Sequence, residues 1–151
     1  MKTQVKWSIL TSALLISMNM GCGKSENNKT DDPNSPVVQL RNDLISLARG
    51  KSREISGRLG SEESYILMDG YQGSLSSLPI PERLRVRLEG IAPAKDHEIC
   101  VLAYIKGEDI LEYTEWSRGG DTYHPYLKPV PFIIRGNSYR LTNEPDLKLT
   151  N

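Results

Sequence analysis

Seven consecutive residues, Ile99-Cys100-Val101-Leu102-Ala103-Tyr104-Ile105, carry no charge and sit between Glu98 and Lys106. A strand with one wet face alternates apolar and polar side chains, so an unbroken run of this length predicts a central strand covered on both faces. The rest of the chain must therefore supply material for two sides of a sheet. Short runs at 54–59, 65–68, 110–116, 132–134 and 138–141 read as further strands. Asp69-Gly70 is a hairpin-type turn signal, and Gly107-Glu108-Asp109 turns the chain after the central run. The stretch Leu84-Arg85-Val86-Arg87-Leu88-Glu89 alternates cleanly. It predicts a strand with Leu84, Val86 and Leu88 inward and Arg85, Arg87 and Glu89 in water.

One helix precedes the strands. Ser35-Pro36 has the form of an N-cap followed by proline at the first helical position. Val37, Leu40, Leu44, Leu47 and Ala48 then recur at helical spacing, and Gly50 is a natural stop. A helix over 36–49 with one apolar face is expected to cover a side of the β core. The fold expected is mainly β: a small antiparallel β-sandwich or barrel with one N-terminal α-helix, occupying residues 36–145. An α+β two-layer arrangement with the helix across one sheet is the alternative. Residues 146–151 read as a polar tail that frays.

The N-terminus carries an address. Lys2 and Lys6 precede a mostly apolar stretch over 7–20, too short for a permanent bilayer span of about 20 apolar residues and shaped like a cleavable secretory signal. This segment is thus expected to be removed. Gly23 to Ser35 contains no strong hydrophobe and is expected to be a disordered tether. Its thirteen residues extend to about 45 Å. The tetrapeptide Gly21-Cys22-Gly23-Lys24 lacks the upstream glycine of a phosphate loop, because that position is Met18.

Charge and cysteines exclude several classes. The 151 residues hold 19 basic and 19 acidic side chains, and loss of Lys2 and Lys6 leaves the remainder slightly acidic. Such a balance does not favour nucleic acid or an anionic surface. Two cysteines, Cys22 and Cys100, cannot build a disulfide framework once Cys22 is otherwise used. Cys100 lies in the most apolar strand, where a thiol is expected to be packed and inert. His97 and Cys100 fall on opposite faces of an extended chain, with no second pair to complete a metal site. No nucleophile elbow or paired-carboxylate pattern is present, so no catalytic residue, metal or cofactor is assigned. The residues with most binding character lie in Trp116-Ser117-Arg118-Gly119-Gly120-Asp121-Thr122-Tyr123-His124-Pro125-Tyr126. Trp, Arg and Tyr dominate interaction hot spots, and Arg118, Tyr123, His124 and Tyr126 are the candidate partner-binding residues. The alternative is that the aromatic rings belong to the core.

The end of the signal, Asn19-Met20-Gly21-Cys22, resembles the lipobox of bacterial lipoproteins, typically Leu-(Ala/Ser)-(Gly/Ala)-Cys. Gly21 and Cys22 match its last two positions; Asn19 and Met20 depart from the first two. The resemblance implies cleavage by signal peptidase II before Cys22, removing residues 1–21, and acylation there, palmitate included; the alternative is an ordinary secretory signal cut nearby, leaving Cys22 free and the protein soluble in the periplasm. Three chains anchor firmly where one binds only marginally. Gly23, in place of the Asp that retains enterobacterial lipoproteins in the inner membrane, implies the outer membrane. Ile55-Ser56-Gly57, Leu78-Pro79 and Pro129-Val130-Pro131-Phe132 resemble the pattern of small β-rich lipoproteins related to type III secretion pilotins, of the YscW/YbaY type. That resemblance implies a β-sandwich that binds another envelope protein without catalysis. The functional expectation is a membrane-anchored binding or assembly module of the cell envelope. Two alternatives remain: an inhibitor or protective factor against a secreted hydrolase, and an enzyme acting on envelope substrates.

Overall fold

The uncharged run 99–105 lies in the second strand of a four-stranded antiparallel sheet and is covered on both sides. The computed structural model describes residues 28–70, 74–92, 99–117 and 127–150. Its elements are α1 (Pro36–Ala48), β1 (Glu54–Arg58), β2 (Glu63–Asp69), α2 (Glu82–Ile91), β3 (Ile99–Lys106), β4 (Asp109–Ser117), β5 (Phe132–Arg135), β6 (Ser138–Asn143) and β7 (Leu147–Thr150). One sheet has the order β4-β3-β2-β5, the other β1-β6-β7. All five strand pairings are antiparallel. The protein is mainly β, two sheets packed as a sandwich with a leading helix, as the sequence predicts.

Two apolar clusters divide the faces of β3. Leu102, with Tyr104 beside it, joins Leu67 and Ile134 from the same sheet, Leu141 and Leu147 from the other sheet, and Val37, Leu40 and Leu44 from α1. Helix α1 therefore seals the space between the sheets. Val101, Ala103 and Ile105 point the other way, into a cluster with Ile66, Met68 and Leu84 and Leu88 of α2. This two-sided cover is what an uninterrupted apolar strand requires. Between β3 and β4 the link is Gly107-Glu108, with Gly107 at φ +61°, a conformation that a side chain would strain.

Four expectations are corrected. The alternating stretch at 84–89 is helical, within α2. Leu84 and Leu88 are buried while Val86 is 57% exposed. Two leucines four apart satisfy a helical face as well as a strand face. Proline at the N-cap, Glu82 in the first turn and a run of Arg, Leu and Glu then favour the helix. Asp69-Gly70 does not make a hairpin, because β2 pairs with β3 and β5 and is followed by a 3₁₀ turn and α2. The end does not fray after Pro145: Leu147 is 3% exposed and β7 extends the second sheet beside β6. Last, residues 28–35, expected to belong to a free tether, lie against the edge strand β4. Thr30 N donates to Tyr113 O and Tyr113 N donates to Asn28 O, both at 2.8 Å. Composition gave no hint of this strap, because backbone groups do the pairing.

Candidate functional site

Most candidate site residues lie outside the described residues: Cys22, His97, Arg118, Asp121, Tyr123, His124 and Tyr126. The two ends of the stretch that carries the binding candidates are described. Trp116 is half-buried and packs against the cluster between the sheets. Ser117, the last residue of β4, is paired with Ile99. The chain returns at Leu127 and Val130, which are 6% and 4% exposed and belong to the same cluster. Cys100 is buried at 3% exposure, as expected of a structural thiol.

A groove of about 610 Å³ runs between α2 and β4. Leu84 and Leu88 fix α2 on the sheet, and that rotation leaves Val86, Gly90 and Ile91 toward the groove. From β4 come Ile110, Tyr113 and Glu115, and the strap contributes Asn28. A β-bulge interrupts β4 next to Ile110. Tyr104 opposes Glu112 and Ile105 opposes Ile110, so Leu111 is the extra residue and is 41% exposed. Among the described residues, Val86 and Leu111 are the exposed large hydrophobic side chains.

The rim of the groove is charged and internally paired. Lys29 Nζ lies 2.5 Å from Glu115 Oε2, and that hydrogen bond raises the ammonium's pKa above its usual value. Arg87 donates to Glu108 O at 2.8 Å and to Asp109 Oδ1 at 2.9 Å. Arg83 approaches Glu108 at 3.9 Å. The pairing leaves a mixed groove, Val86, Ile91 and Ile110 beside Asn28, Arg87 and Glu115, without a dominant charge.

A second groove, about 680 Å³, lies over the three-stranded sheet. Ser56, Arg58, Ser138, Arg140 and Thr150 line it. Arg140 Nε is 3.2 Å from Glu54 Oε1. Hydroxyls and guanidinium groups line this face together with Gly57 and Tyr139. Among the described residues no group of three His, Cys, Asp or Glu side chains is placed to hold a metal ion.

Sequence reasoning missed Val86, Leu111 and the strap as surface features. The period-2 reading placed Val86 in the core. Pro81 followed by Glu82 was the available signal for a helix start.

Comparison with protein-family models, with curated proteins and with solved structures found no match.

Proposed function

We propose that this chain is a lipoprotein of the bacterial cell envelope, acylated at Cys22, whose β domain is a non-catalytic binding or assembly module for another envelope protein. The observation that supports the binding role is the seating of the residues on either side of 118–126. Trp116 before it and Leu127 and Val130 after it are seated in one apolar cluster. Segments that connect elements seated in a core are where recognition side chains are usually found. Arg118, Tyr123 and Tyr126 offer two aromatic rings and a guanidinium, and His124 adds a group that titrates near neutral pH. The signal-like N-terminus and Gly21-Cys22 support the anchor, and Gly23 supports outer-membrane sorting by analogy.

The test has two arms. Mass spectrometry of the membrane-purified chain should find acyl groups on the N-terminal Cys22, and Cys22→Ser should abolish them. Replacing Arg118, Tyr123 and Tyr126 together by Ala should weaken capture of a membrane partner by at least about 2 kcal/mol, the size of a binding hot spot. The melting temperature should stay close to wild type. Unfolding of the triple variant would assign the rings to the core, and unchanged capture would move the partner surface elsewhere.

A further inference from the structure

The strap decides which face of the domain an anchor at Cys22 would hold toward the membrane. Lys29 bridges Tyr113 in the parallel sense, so the strap runs alongside β4 in the same direction. Traced toward the N-terminus it heads for the Ile110 end, where Asn28 Nδ2 donates to Ile110 O. The tether is thereby shortened from thirteen residues to the few before Asn28. Six residue steps separate Cys22 from Asn28, about 20 Å at full extension. The two exposed large hydrophobic side chains among the described residues are Val86 and Leu111. Val86 lines the same groove as Asn28 and Ile110, and Leu111 follows Ile110 in the chain. By contrast, the outward side of the three-stranded sheet presents Ser56, Arg58, Arg140 and Thr150.

We propose that the α2–β4 end, with Val86 and Leu111 at its surface, is a membrane-docking face that rests on the lipid surface when the chain is anchored. The proposal rests on the lipoprotein reading and adds an orientation to it. Two aliphatic side chains are too little apolar area to hold a free domain on a bilayer. For a domain already tethered within about 20 Å the contact is intramolecular, and its effective concentration is set by the short linker. The nearby cations Lys29, Arg83 and Arg87 each have an acidic neighbour, Glu115, Glu108 and Asp109 respectively. Docking is therefore apolar, with little dependence on salt or on anionic lipid. A protein partner or a second copy on this face would have to compete with a bilayer that the anchor keeps adjacent.

The experiment uses the full lipidated chain reconstituted in vesicles of phosphatidylethanolamine and phosphatidylglycerol. An environment-sensitive fluorophore is attached at Val86→Cys, Leu111→Cys or, as control, Lys148→Cys on the exposed side of β7, and quenching by nitroxide-labelled lipid is measured. Acylation of Cys22 is checked by mass spectrometry on the same samples, and the unsubstituted chain reports labelling at Cys100. The expected result is several-fold stronger quenching at positions 86 and 111 than at 148, unchanged by added salt. Equal quenching at all three positions on an acylated, vesicle-bound chain overturns the docking face and leaves the anchor standing. Energy transfer between labelled copies at position 86 without lipid quenching overturns it in favour of self-association. A chain without acyl groups overturns the lipoprotein reading, and the docking face with it.

Discussion

Arg41 Nη1 donates to Thr114 Oγ1 at 2.8 Å, joining the middle of α1 to the centre of the edge strand β4. Thr114 is fully buried, and its hydroxyl also reaches Asp31 Oδ1 at 3.5 Å. Arg41 closes the triangle by pairing with Asp31 at 3.0 Å. One guanidinium thus links helix, sheet and strap. Asp31 is 71% exposed, so its ion pair by itself is worth little. The buried hydroxyl is the costly group to abandon.

Arg41→Met keeps most of the aliphatic stem and removes the donor. It should destabilise the domain by about 1.5–3 kcal/mol, the worth of a hydrogen bond from a charged donor, with Asp31 left as the partner of the Thr114 hydroxyl. Asp31→Ala should cost less than about 1 kcal/mol. Urea denaturation of both variants checks this, and equal losses would mean the ion pair, not the hydroxyl, matters. Native-state hydrogen exchange should also show faster exchange at Thr30 and Tyr113, whose amides hold the strap, in Arg41→Met.

Gly57 faces Tyr139 across the β1–β6 ladder, and a Cβ at Gly57 would lie 2.7 Å from Tyr139 Cε1. Glycine within a strand normally weakens it, so replacement by alanine would stabilise an unconstrained site. Here the phenol ring occupies the space. Gly57→Ala should therefore destabilise, by about 1–3 kcal/mol, as overpacking does. In the Tyr139→Ala background the same substitution should be nearly neutral or favourable. A double-mutant cycle measures the coupling, and additive losses would show that the ring is free to move aside.

The strands that sequence reasoning located are those whose pattern had one interpretation. Residues 99–105 are uncharged and end at Lys106, so length and polarity both mark the strand. Ser35-Pro36 and the leucine spacing marked α1, although the Ser35 hydroxyl donates to Glu112 Oε2 at 2.5 Å instead of capping the helix. Leu84, Val86 and Leu88 fit periods of 2 and 3.6 equally, and the short window could not separate them. Leu147 and Leu149 are too few to announce β7; only the β6 ladder makes the segment a strand. The α2–β4 groove was illegible for a related reason. It exists only if 82–91 is a helix and if polar residues 28–30 pair through their backbone, which side-chain patterns do not report.

The helical assignment of α2 separates two substitutions that a strand would make equivalent. Leu88 is fully buried and Val86 is 57% exposed. Leu88→Ala should cost about 2–5 kcal/mol, the range for a large core side chain cut to a methyl. Val86→Glu should stay within about 0.5 kcal/mol of wild type, as surface changes do. Thermal melts of the two variants decide it. Comparable losses would restore the alternating strand with both side chains inside.

Alkaline pH should weaken the fold through its tyrosines. Tyr65 stacks on Tyr104, ring centroids 4.9 Å apart, and Tyr139 is also buried at 9% exposure. Burial pushes the phenol pKa of all three above the usual 10.0, and for Tyr104 a hydrogen bond to Glu63 adds to it. Below the usual value both folded and unfolded chains keep these protons, and the tyrosine contribution to stability is complete. As pH rises past it the unfolded chain releases protons that the folded chain retains, so unfolding becomes favoured. Each such group costs up to about 1.4 kcal/mol per pH unit until it ionises in the folded state. Glu63 acts in the opposite direction. A hydrogen bond from Gly60 N at 2.6 Å, then the Tyr104 hydroxyl, hold its pKa below the usual 4.5, so its contribution is present above that value and is lost in acid. Urea denaturation should give constant stability from about pH 7 to pH 9, a fall beyond pH 10, and a shallower fall in Tyr65→Phe. A wild-type profile that stays flat to about pH 11 would show that the rings are hydrated and that the Tyr65–Tyr104 stack is open to solvent.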